Sequence, residues 1–139
     1  MNYCVYSDPE GDTTVYAMKG RFEITPLYTV KGWHRSSWVS SNGRYFVAGY
    51  SGLNLVPTDV SPEQTMVTIY DNGVLIREVK LRELFNSLQA LRPTASHYEW
   101  GYIDFVADTF ISLITPEGEV IFDIENDKIY LPDVSQGAN

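Results

Sequence analysis

Asn-Gly pairs set inside two-residue alternation constrain this chain more than any other feature. The pair occurs at Asn42-Gly43, between residues 38–40 and 44–49, and again at Asn72-Gly73, between residues 66–70 and 74–79. A two-residue hairpin turn needs positive φ at both turn positions, which Asn and Gly tolerate, so each pair predicts two antiparallel strands. Pro116-Glu117-Gly118 is a related turn between residues 110–115 and 119–123, and Glu125-Asn126-Asp127 precedes a strand at 128–131. Upstream, residues 3–6 and 13–18 flank a turn cluster at 7–12. Residues 21–30 alternate through Phe22 and Ile24, while Pro26 confines that strand to an edge or bends it.

Two segments break the rule of two. Leu81, Leu84, Phe85, Leu88 and Leu91 recur at helical spacing before Pro93, which predicts one amphipathic helix near residues 80–91, packed on the sheets. Residues 51–63 contain two prolines and no clean period, the pattern of a long loop that often carries function.

At 139 residues, 44% hydrophobic and 20% charged, the chain is expected to form a single globular domain over 1–139. Aromatics at 14% favour β-structure. No apolar run approaches the roughly 18 residues of a membrane span. Residues 1–98 hold nine acids and nine bases, whereas residues 99–139 hold nine acids and only Lys128, so the whole net charge of −8 lies there. Such a region repels phosphate backbones and anionic lipids, which excludes nucleic acid and membrane surfaces as expected partners. A basic protein or a cation suits it, and solvated acids also keep a small domain soluble. Cys4 stands alone, so no intramolecular disulfide forms. Residues 1–8 lack the basic start and apolar stretch of a signal peptide. That start fits a cytoplasmic protein or a mature periplasmic form without its leader.

No catalytic constellation emerges. Cys4 lies in an aromatic strand without an activating motif, which is the setting of an inert thiol. Gly49-Tyr50-Ser51-Gly52 lacks the final glycine and the following helix of a nucleophile elbow. Asp123-x-Glu125-x-Asp127 resembles the opening of a calcium loop. Lys128 replaces the required glycine and Val134 the bidentate acid, so a solvated turn is the better reading. His34 and His97 have no companions at metal-ligand spacing. Neither a cofactor nor a metal is expected, and the chain reads as a non-enzyme.

The hairpins repeat. Residues 38–49, followed by the pair around 69–75, form a meander that recurs over 105–129, with a weaker copy at the N-terminus. Four-strand meanders at this period are the mark of propeller blades. Ser40 to Gly49 resembles an inner blade hairpin, and Phe122-Asp123 to Lys128-Ile129 an outer one. At about 45 residues per blade the chain supplies about three, short of the usual four. The expected fold is all-β: an incomplete propeller-like stack of about three antiparallel sheets.

Four segments carry a narrower resemblance: Gly32-Trp33, residues 45–55, residues 75–79 with 81–84, and residues 96–101. They look like small exported bacterial proteins of the partial-propeller type. That class includes periplasmic immunity proteins that neutralise type VI secretion effectors, in particular cell-wall amidases. The resemblance implies a protein-binding inhibitor whose loop plugs an enzyme's active site.

The candidate contact residues are Trp33, His34, Arg35, Ser36 and Ser37 in the first loop, with Tyr50, Ser51, Leu53 and Asn54 in the second. His97 and Tyr98 form a third aromatic and polar cluster. Trp and Arg are the residue types that dominate protein interfaces. Trp33, Trp38 and Trp100 equally suit the cores of successive blades. The acidic region would steer a basic effector enzyme. The alternative is a module of the cell envelope that binds glycans or small molecules, with exposed aromatics stacking on sugars. Open sheets also leave edge strands through which a homodimer can form.

Overall fold

A computed structural model describes residues 2–134 of the chain; residues 1 and 135–139 of the expected domain lie outside the described residues. Strands β1 (Asn2–Ser7), β2 (Thr13–Lys19) and β3 (Glu23–Val30) form an N-terminal meander. A central sheet of order β4-β5-β7-β8 is built from β4 (Ser37–Val39), β5 (Tyr45–Gly49), β7 (Thr65–Asp71) and β8 (Val74–Lys80), interrupted by β6 (Leu55–Pro57). The short strands β9 (Arg92–Pro93) and β10 (His97–Glu99) join β6 in a small sheet of order β6-β10-β9. A C-terminal meander follows: β11 (Tyr102–Val106), β12 (Phe110–Thr115), β13 (Gly118–Asp123) and β14 (Lys128–Tyr130). Every pairing is antiparallel, and none of the four sheets closes on itself.

Strand β5 explains the layering. Tyr45-Phe46-Val47-Ala48 is apolar at both parities and buried on both faces, the pattern of a strand between two layers. Phe46 and Ala48 pack with Val15 and Val30 of the N-terminal sheet. Tyr45 and Val47, with Ile69 and Val79, pack instead against Ile111, Leu113, Val120 and Phe122 of the C-terminal sheet. The central sheet therefore lies between the other two meanders, and burial of each large apolar side chain contributes about 1.5–3 kcal/mol. The first strands of the three meanders adjoin, β1 against β4 and β4 against β11. The fold is all-β, as expected, but it has four antiparallel sheets where about three were expected, and the small sheet is one that the alternation did not reveal.

The expected helix at 80–91 does not form. Leu81–Leu84 is one 3-10 turn and Leu88–Ala90 another, separated by Phe85 and Ser87 in extended conformation. Leu81, Leu84 and Phe85 are buried, so the apolar spacing does record contact with the core. The break has a tertiary cause. The Asn86 and Ser87 backbone N–H groups donate to the Glu117 carboxylate at 2.7 and 3.1 Å, and the Asn86 side chain donates to Pro132 O at 2.9 Å. Ser87 Oγ accepts from Gln89 N, the local competition by which serine disfavours helix interiors.

The two Asn-Gly turns differ. Asn72 (φ 51°) and Gly73 (φ 90°) both adopt positive φ, as the tight hairpin demands. At the first pair only Gly43 does (φ 77°). There Gly43 N–H closes a turn onto Ser40 O, and Asn42 Oδ1 accepts from Arg44 N and Ser40 Oγ, giving a wider loop. Pro26 lies on β3, an edge strand, and the β2–β3 register slips between Val15 and Tyr16 opposite it.

Candidate functional site

A cleft of about 190 Å³ opens where the central, small and C-terminal sheets meet. Trp38 of β4 and Gly49 at the end of β5 form one wall, Trp100, Tyr102 and Ile103 the other, and the bend at 50–54 borders it with Tyr50, Leu53 and Asn54. Trp100 fixes that bend. Its indole Nε1–H donates to Leu53 O at 2.6 Å, and its backbone N–H donates to Asn54 O at 3.0 Å. Leu53 N–H in turn donates to Tyr50 O at 3.0 Å, holding Leu53 at φ 61°, a conformation uncommon outside glycine.

Two glycines make the cleft possible. A Cβ on Gly49 would lie 2.7 Å from Ser36 Oγ and 3.3 Å from the Trp38 ring, so the floor can close only without a side chain. Gly101 (φ 132°) lies where a Cβ would overlap the Ile114 carbonyl, and it lets the chain turn from Trp100 into β11.

The walls are aromatic and aliphatic, with Ser36 and Asn54 as polar side chains. Among the described residues every buried side-chain nitrogen and oxygen is hydrogen-bonded, so no orphaned polar group asks for a ligand. The volume is below the roughly 300–1,000 Å³ of an ordinary small-molecule pocket. It suits one apolar side chain or one ring.

The structure brings some of the sequence candidates together and separates the others. Ser36, Tyr50, Leu53 and Asn54 come together at the cleft, with Ser51 exposed on the same bend. Trp33 and Arg35 are exposed on the linker from β3 to β4, outside the cleft lining. His34 turns inward instead. Its ring packs edge-on against Phe46 and Tyr70 at 5.5 and 6.3 Å, Nε2 lies 3.1 Å from Lys31 O, and its backbone N–H donates to Ser7 Oγ. Ser37 opens β4 opposite Ala48. His97 is exposed on β10 with Nδ1 at 2.8 Å from Ser96 Oγ, and Tyr98 packs half-buried against the main core. Trp38, Gly49, Trp100, Tyr102 and Ile103 complete the cleft without having been candidates. Trp38 and Trp100 carried the signal, read as core, and Trp100 is indeed buried.

The charged clusters lie elsewhere. Arg44 grips Asp71 through Nε and Nη2, both at 2.8 Å, and holds that carboxyl below its usual range. Arg77 joins Glu83 at 2.7 Å and Asp127 at 2.8 Å and lies 5.6 Å from the Phe122 ring, tying β8 to the turn before β14. Asp123 accepts from Asn126 N and Nδ2. Two acids of the calcium-like spacing are thus committed to turn and ion-pair bonds. Among the described residues no three His, Cys, Asp or Glu side chains gather to hold a metal, and no helix is long and apolar enough to cross a membrane. Cys4 lies opposite Tyr16 on the side of the N-terminal sheet facing away from Phe46, so the sheet separates it from the His34 ring.

No family model matches the chain, and no curated protein matches it.

Proposed function

We propose that this protein is a non-enzymatic inhibitor that blocks a protein partner, an immunity-type protein against a secreted cell-wall-degrading enzyme in the periplasm. The observation that carries the reading is the preformed aromatic cleft, whose rim at 50–54 is pinned by Trp100 and presents Leu53 exposed. A rigid rim beside a pocket for one apolar side chain is how anchoring contacts at protein interfaces are made. The exposed Trp33 and Arg35 extend the surface, and the acids of residues 99–134 steer a basic enzyme. The three stacked meanders, with their first strands adjoining, support the partial-propeller frame.

A tagged pull-down from envelope and cytoplasmic fractions of the source cells tests this, with washes at low and moderate salt. The expected result is one stoichiometric basic enzyme, inhibited on binding, captured less well at higher salt, and lost with Leu53→Asp. Capture that is unchanged by Leu53→Asp and by Tyr50→Ala removes the cleft from the reading. The aromatic lining also favours a second reading, a module that stacks on one sugar ring. It predicts a change in Trp fluorescence on adding soluble cell-wall fragments, with no protein captured.

A further inference from the structure

The hairpin between β2 and β3 projects from the molecule as a finger. Residues 19–27 are all exposed, whereas Tyr28 and Val30, at the other end of β3, pack on the central sheet. Gly20 turns the tip with φ 65°, and a Cβ built on it would meet nothing within 4 Å. Phe22 stands on that tip and is 92% exposed, more than any other large apolar side chain among the described residues. A phenyl ring ordinarily buries its area.

The same chain carries a hole of the matching kind. The cleft of about 190 Å³ between Trp38 and Trp100 suits one ring, and Phe22 is not among its lining residues. The charges also match. Lys19 and Arg21, beside the finger's ring, join no ion pair among the described residues. Asp104, next to Ile103 of the cleft wall, is exposed and equally unpaired. On the other wall Arg35 adjoins Ser36, and the finger's Glu23 offers it a counterpart.

The geometry points to a second copy of this chain as an occupant of the cleft: Phe22 of each copy enters the cleft of the other. Each copy has one finger and one cleft, so a reciprocal pair satisfies both and closes about a twofold axis. The inference rests on the functional reading above in that it uses the same cleft, and it adds a regulation. A cleft filled by Phe22 is closed to the partner enzyme, so self-association and capture oppose each other. The contact is small, which suits a reversible pair that opens on dilution.

The test is sedimentation velocity of the full chain from low to high micromolar concentration, with Phe22→Ser removing the finger's ring and Leu53→Asp charging the cleft rim. Both side chains are exposed in the single chain, and circular dichroism checks that each variant folds. The expected species has twice the chain mass of 15.8 kDa. Each variant weakens the pair about 30-fold or more, as loss of an interface anchor does. A mixing experiment locates the contact. In isotope-labelled Phe22→Ser protein, the Trp100 indole N–H resonance shifts when unlabelled Leu53→Asp protein is added, because one finger and one cleft remain. Unlabelled Phe22→Ser protein leaves it in place.

A monomer at every concentration overturns the inference. So does a pair indifferent to Phe22→Ser or to Leu53→Asp, and so does growth beyond two copies. A monomer that still captures its partner in the pull-down fails this inference alone. A pair that meets the expected results and captures nothing upholds it and removes the functional reading. Where both hold, Phe22→Ser captures the partner more strongly than the wild type. Weaker capture by that variant would give the finger to the partner and overturn the inference.

Discussion

Trp100 has a double duty: it fills the core and holds the rim of the cleft with both of its N–H groups. Trp100→Phe keeps most of the apolar volume but leaves Leu53 O without its indole donor. The expected cost is about 1–2 kcal/mol in urea unfolding, with faster amide exchange at residues 53–55 than elsewhere in the protein. Gly101→Ala is the harsher change, because a positive φ and an overlap with Ile114 O combine there. Tyr28 makes a pH prediction. Its hydroxyl donates to Gly43 O at 2.8 Å, and its pKa is pushed up to about 12, chiefly by burial and then by the charge of Asp71. The fold thus favours the neutral phenol. Its stabilising effect is complete below pH 10 and is lost as pH rises from 10 through about 12. Tyr28→Phe should flatten that part of a denaturation-versus-pH curve, and an unchanged slope would remove Tyr28 from its cause.

At the scale of elements, Glu117 decides the conformation of a segment about 30 residues earlier in the chain. It accepts from two consecutive backbone N–H groups that a helix would have used. Glu117→Ala is expected to cost about 1–2 kcal/mol and to raise exchange at Asn86 and Ser87 selectively. This is also where the sequence was least legible. The strands were readable because alternation and turn residues act within a few positions, and β12 begins and ends at the residues expected. The Leu periodicity over 81–91 was real, but it recorded burial, and the competing acceptors came from a distant hairpin and from Pro132. The candidate site divided for the same reason. Tyr50, Leu53 and Asn54 were found from a prolonged loop signal, whereas Trp100 reaches Leu53 across 47 positions of sequence. His34 looked like a loop tip, yet its fate was set by Phe46 and Tyr70, which no local pattern ties to it.

For the whole molecule, layer order and charge follow one direction. The N-terminal end of the stack offers an uncharged face, and the opposite end carries the acids. The central sheet, covered twice, also gives the chain a schedule. Synthesis delivers the N-terminal sheet first, so Phe46 and Ala48 find their partners as soon as β5 is made. Tyr45, Val47 and Ile69 must wait until residues 103–122 have left the ribosome. For that interval the nascent protein shows water a half-finished core. A chain truncated after residue 100 is therefore expected to precipitate or to be held by chaperones, whereas the full-length chain stays in solution. Sedimentation of the two products after cell-free translation would read the difference directly, and a soluble truncated chain would mean that the central sheet tolerates its open face.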